Sequence, residues 1–275
     1  MPFWALYVIS DVIYFIVYYI VGYRKDLVLK NLSLAFPEKN KGELRQIRKN
    51  FYHHFVDIFM EMIKTFTISE KELAKHYKFK NLSVIDDLAK KNKSIVMIGS
   101  HYANWEWAAQ MSLFIKHKFV VTYTKVQNKM FDDKIKASRE RFGGEMVLKA
   151  DTIGKMATNT ENNILSLYAL LSDQSPQLRK TFYWNDFLGV RVPIHTGAEM
   201  LAKKYNLAVI LVSVEKIKRG YYEASFELLT ETPRDYPDYD ITDIFLRKVE
   251  KQIYDKPDYY FWTHNRFKHQ GKEKN

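Results

Sequence analysis

Between Ser94 and Leu229 short apolar runs alternate with segments of helical character, and this alternation restricts the chain to an α/β fold with a mostly parallel central sheet flanked by helices. Ser94–Gly99 (SIVMIG), Lys118–Thr124, Glu145–Ala150, Asn163–Ser172, Thr181–Phe187, Leu207–Val214 and Tyr221–Leu229 read as strands. Helices are predicted from Trp105 to about Ile115, with Asn104 as N-cap, and from Lys129 to about Phe142 as a basic amphipathic helix. Two more are predicted over Thr196–Tyr205 and Asp240–Tyr254. Hydrophobic residues make up 47% of the 275, enough to bury a sizeable core. No internal repeat or linker interrupts residues 24–275, which therefore form one domain.

Met1–Tyr23 stands apart. Its only charged side chain is Asp11, and its length is that of a helix crossing the hydrocarbon core, about 20 residues. A carboxylate in the middle of a span costs roughly 2.5–3.5 kcal/mol. Tyr7, Asp11, Tyr14 and Tyr18 share one helical face, leaving Val8, Ile9, Val12, Phe15, Ile16 and Tyr19 on the other. The segment reads as a membrane-associated helix that dips into one leaflet or packs its Tyr/Asp face on the domain, in preference to a true span. It lacks the basic start and small-residue cleavage site of a signal peptide. Behind it Arg24, Lys25, Lys30, Lys39, Lys41, Arg45, Arg48 and Lys49 follow within 26 residues, a pattern that attracts anionic leaflets.

The net charge of +11 suits an anionic partner of some kind: headgroups, phosphorylated substrates, acidic carrier proteins or nucleic acid. Nucleic acid is not expected, because the lysines scatter over several helices instead of interleaving with aromatics on one face. The absence of cysteine excludes disulfides, thiolate metal sites and a cysteine nucleophile. The eight histidines contain no H-E-x-x-H pair, so no metal site is expected.

The chemistry concentrates in GSHYANWEWA. A buried strand ends at Ile98, Gly99 permits a sharp exit, and His101 falls in the loop before a helix. Ligands and catalytic groups gather at the carboxyl ends of such strands. Glu106, in the first helical turn, is within reach of the imidazole. A carboxylate on one ring nitrogen fixes the tautomer and leaves the other to take a proton from an alcohol. Ser100 lacks the G-x-S-x-G elbow of a serine nucleophile.

Around this block the chain resembles the bacterial lipid A biosynthesis (late, or secondary) acyltransferases of the lysophospholipid acyltransferase superfamily. SHYANWEW resembles their core motif, and VGYRKDLVLKNLSLAFPE their YR…NL…FP segment. FYHHFVDIFMEMIK resembles the next helix, ending near E-x-x-K, and SRERFGG the segment after the second strand. LLSDQSP, FLGVRVPIHTGAEMLAKK and YYFWTHNRFK are similar to the later blocks, in order, out to Lys268. Two features depart from the pattern: a short stretch before Gly22, and the polar segment Lys149–Asn163.

The resemblance implies transfer of a fatty acyl chain from an acyl carrier protein thioester to a hydroxyl of a lipid A precursor, without metal or organic cofactor. The site would be the cytoplasmic face of the bacterial inner membrane. His101 would be the general base and Glu106 its orienting carboxylate. Asn104, Arg139, Arg141 and Asp173 are candidate substrate-binding residues. The two arginines suit phosphate or thioester oxygen, and Asp173 suits either a substrate or the fixing of a loop. Arg266 and Lys268 suit acidic headgroups or plain surface, while His195, Trp262 and His264 read as structural. Two alternatives remain at this point: acylation of a lysophospholipid, glycolipid or aminolipid, and a non-enzymatic basic membrane-binding protein.

Overall fold

The computed structural model describes residues 1–125 and 129–273 and their side chains, except those of Phe131 and Ile135. The apolar N-terminus forms α1 (Phe3–Phe15), extended by a π-helical stretch Ile16–Val21. α2 (Lys25–Ala35) and the long α3 (Lys41–Lys64) follow. α3 starts at Asn40, whose side chain accepts the Gly42 and Glu43 amides while Glu43 caps in return. Next come α4 (Glu70–His76), β1 (Tyr77–Phe79) and α5 (Ser83–Lys90). The α/β core then runs β2 (Ile95–Gly99), a 3₁₀ helix Glu106–Leu113, β3 (Lys118–Tyr123), α6 (Lys129–Glu140), β4 (Glu145–Leu148), α7 (Thr152–Glu161) and β5 (Ser166–Leu171). β6 (Trp184–Phe187), β7 (Val190–Pro193), α8 (Gly197–Tyr205), β8 (Ala208–Lys218), β9 (Tyr221–Thr230) and α9 (Asp240–Asp255) complete it.

Seven strands form one sheet in the order β1-β9-β8-β2-β5-β3-β4, parallel throughout except where β8 and β9 pair as a hairpin. β2 lies at its centre, buried along its whole length, with α8 packed against it. Ile95, Val96, Met97 and Ile98 are all buried, each worth about 1.5–3 kcal/mol relative to exposure. Gly99 serves here through size: a Cβ on it would lie 2.8 Å from Val212 Cγ1. The left-handed residue of the loop that follows is Ala103, φ +49°.

Three expectations change. The run Thr181–Phe187 contributes only β6, which leaves the main sheet and pairs antiparallel with β7. The polar Lys149–Asn163 contains a true helix, α7, because Thr152, Met156 and Asn159 form a narrow buried stripe that suffices against the sheet. The helix expected after Asn104 is 3₁₀, although Asn104 Oδ1 does accept the Trp107 amide at 3.0 Å.

α1 packs along α3, and Tyr7, Ser10 and Asp11 on its polar face each find a polar partner. Tyr7 Oη donates to Glu61 Oε1 (2.7 Å) and Ser10 Oγ to Asp57 Oδ1 (2.7 Å). Asp11 pairs with Arg219 (2.6 Å) and His53 (2.9 Å), Tyr14 stacks on Tyr18, and Tyr18 is buried. Val8, Ile9, Val12, Phe15, Ile16 and Tyr19 face outward, joined by Trp4, Ile20 and Val21.

Candidate active site

Parallel register assembles the site. β2 and β5 are neighbours with Gly99 opposite Leu171, so the residues two beyond each, His101 and Asp173, emerge side by side at the carboxyl edge. His101 Nδ1 lies 2.7 Å from Asp173 Oδ1. The Asp173 side chain is 1% exposed and the imidazole 19%, so a buried carboxylate holds a ring that opens outward. Burial pulls the Asp173 carboxyl upward, but the charge and hydrogen bonds of His101 outweigh it and hold it below the ordinary carboxylate range. No described residue hydrogen-bonds His101 Nε2.

The carboxylate on the imidazole is thus Asp173, not Glu106. Glu106 turns the other way. It forms a forked pair with Arg139 (Nη2 2.5 Å, Nε 3.2 Å) and accepts Trp105 Nε1 at 3.0 Å. The reason is geometric: a residue five positions on, across a left-handed turn at Ala103, faces α6 and not the loop it left. Trp105 stands edge-on to the His101 ring at 5.3 Å, and Phe261 flanks it at 5.9 Å.

Other candidates sort by what they touch. Asn104 is fully buried with both ends of its amide engaged: Nδ2 donates to Glu61 Oε2 (2.7 Å), and Oδ1 takes the Trp107 amide. As placed, it holds the loop and does not face a ligand. Arg141 donates to the carbonyls of Phe66 and Ile68, away from His101. Arg266 is not a surface residue at all. It is 1% exposed, lies over the Phe187 ring at 4.9 Å and donates to Pro193 O at 3.2 Å. Its charge and the Tyr260 hydroxyl lie close enough to Asp173 to act on it electrostatically. His195 and His264 are pushed down to about 4, chiefly by burial, and His264 Nε2 accepts the Ser175 amide.

Residues 259–266 lace this loop down. Phe261 N donates to His101 O (3.1 Å), Ala103 N to Tyr259 O (3.0 Å), and Tyr102 bridges Tyr260. Glu61 and Tyr260, both beside the site, escaped sequence reasoning. Glu61 was visible only as the acid of an E-x-x-K pattern near the end of a helix.

An imidazole–carboxylate pair, opening outward beneath an aromatic lip at a sheet's carboxyl edge, has the geometry that base-assisted group transfer requires, and comparison with known proteins supplies the class: an acyltransferase. The chain belongs to the bacterial lipid A biosynthesis acyltransferase family, whose pattern it matches over residues 1–269. It is 24% identical over 250 residues to the lipid A biosynthesis lauroyltransferase of Escherichia coli K12, covering 89% of this chain and 79% of that one. It is 20% identical, with the same coverage, to the lipid A biosynthesis palmitoleoyltransferase of the same strain and to a lipid A biosynthesis acyltransferase of Shigella flexneri. Membership removes the non-enzymatic reading.

Proposed function

We propose that the protein transfers a fatty acyl chain from an acyl carrier protein thioester to a hydroxyl of a lipid A precursor, at the cytoplasmic face of the bacterial inner membrane. The observation that carries the reaction type is the His101–Asp173 pair. With Asp173 accepting from Nδ1–H, Nε2 bears the lone pair. Nε2 removes the acceptor's proton as its oxygen attacks the thioester carbonyl; the tetrahedral intermediate then expels the carrier thiolate, which takes the proton back from His101. Proton transfer and carbonyl polarisation suffice, so no metal or organic cofactor is invoked. Glu106 acts at one remove, bracing Trp105 beside the imidazole and setting the direction of Arg139. The Arg139 fork, partly neutralised by Glu106, suits the thioester oxygen or a phosphate of the acceptor.

The acceptor assignment rests on the relatives. The membrane assignment rests on the apolar face of α1 and its π-helical extension, where Trp4 is 73% and Ile20 69% exposed beside a basic segment. Because Asp11 is paired with Arg219 and His53, the helix need not carry a bare carboxylate into lipid. Carrier docking falls to Lys134 and the outer face of α6, since Lys129 pairs with Asp133 and Lys136 with Glu140. Mass spectrometry of envelope lipids with and without the gene tests the whole. One acyl increment on lipid A is expected. An increment on a lysophospholipid, glycolipid or aminolipid would replace the acceptor, and no increment on any lipid would overturn the proposal.

A further inference from the structure

We infer that Glu61 is a positioning residue for the His101 turn and that Tyr7 completes it, so that the N-terminal helix forms part of the active-site scaffold as well as an apolar surface. The inference rests on His101 being the base.

Glu61 reaches the interior from the last turns of α3 and is fully buried. A buried carboxylate with no partner would be strongly unfavourable. This one collects three neutral donors from three parts of the chain. Tyr7 Oη of α1 lies 2.7 Å from Oε1; Tyr222 Oη of β9 and Asn104 Nδ2 lie 2.9 and 2.7 Å from Oε2. Asn104 sits three residues after His101, and its other end fixes the Trp107 amide. Trp107 is bolted to the same stretch of α3, its Nε1 lying 2.9 Å from Thr65 Oγ1 and 3.3 Å from the Glu61 carbonyl. The turn between His101 and Trp107 is therefore clamped to α3 through side chains at both Asn104 and Trp107.

That turn needs clamping. Ala103 holds φ +49°, a left-handed conformation unfavourable for an L-residue, which persists only where its surroundings over-determine it. Tyr7 reaches Glu61 by a route kept open for it. At Gly220, in the β8–β9 turn with φ +75°, a Cβ would collide with the Tyr7 hydroxyl. Ser10 and Asp11 also dock α1, but onto Asp57, His53 and Arg219, outside the turn. Phe3 packs edge-on against Trp107 at 6.2 Å, and Tyr7 is where the helix hydrogen-bonds the catalytic loop's support. Apolar packing could dock a helix equally well; a satisfied polar cluster instead selects one geometry, and this one lies beneath the base.

The test uses full-length protein, acceptor dispersed in detergent so that membrane attachment is not limiting, and hydrogen exchange of the Ser100–Gln110 peptide. Tyr7→Phe removes one donor at the edge of the cluster and leaves the apolar face intact. It should lower kcat about three- to tenfold at near-constant KM and speed exchange in the turn by a similar factor, the value of about one hydrogen bond. Glu61→Gln, which keeps the volume, should lower kcat about ten- to a hundredfold. If either readout is unmoved in Tyr7→Phe while that variant melts as the wild type does, the inference is overturned. His101→Ala in the same assay reads the underlying assignment separately. Activity surviving there overturns the base reading, whatever the exchange shows.

Discussion

The carboxylates of Asp173 and Glu61 are equally buried and meet opposite fates. Asp173 faces an imidazole, whose charge and hydrogen bonds more than offset desolvation, and it stays ionised. Glu61 faces two phenols and an amide. Burial pushes it up to about 7, and the hydrogen bond from Tyr7 only moderates the rise. Burial alone therefore does not set protonation; a partner that can carry charge does. On the function proposed, the first region serves proton transfer and the second shape.

The largest effect should come from removing the charged partner. His101→Ala should lose about 10²–10⁴ in acyl transfer while remaining folded, and Asp173, deprived of the imidazole and left with Arg266, Tyr260, His195 and His264 around it, should drift toward the behaviour of Glu61. Near-normal transfer by the purified variant would contradict the role given to the imidazole. Glu106 is the intermediate case, a carboxylate held by a guanidinium and an indole. Glu106→Gln should cost about tenfold or more, through misplacement of Arg139 and Trp105, with the pH dependence of kcat/KM unchanged because the base is untouched. A shifted profile would return Glu106 to direct contact with His101.

The smallest effect is in stability, and its sign separates the two regions. Glu61 binds its proton more tightly folded than unfolded, so its contribution is fully present below about pH 4.5 and lost as pH rises through about 7. Asp173 runs the other way: its contribution is present above the ordinary carboxylate range and lost as pH falls through its depressed folded value. Lys216 and Asp57, which also act on Glu61, remain in both proteins when wild type is compared with Glu61→Gln. Denaturation at several pH values should give wild-type-minus-variant differences of opposite slope for Glu61→Gln and Asp173→Asn. Parallel slopes would remove the distinction.

The sequence made the parallel sheet, the His101 loop and the two faces of Met1–Tyr23 legible because each is a local pattern: alternation, a strand exit, a helical spacing. It hid whatever depends on register. His101 and Asp173 are 72 residues apart, and only the pairing of Gly99 with Leu171 brings them together. The available signal was that SIVMIG and LSLYALL each run into a polar residue two positions past the strand. Glu106 looked nearer because it is nearer in sequence; the left-handed Ala103 turns it toward Arg139. Arg266 reads as a surface cation until residues 259–266 are seen threading under the site. β6 misleads because aromatic β-formers serve a hairpin as well as a sheet.

The central claim is that His101 and Asp173 work as one unit, and the two single variants with their double variant test it most directly. Acyl transfer from carrier thioester to lipid A precursor should fall about 10²–10⁴ in His101→Ala, strongly in Asp173→Asn, and no further in the double variant than in His101→Ala alone. Losses that multiply in the double variant would show that Asp173 acts elsewhere than on His101, and the account would fail.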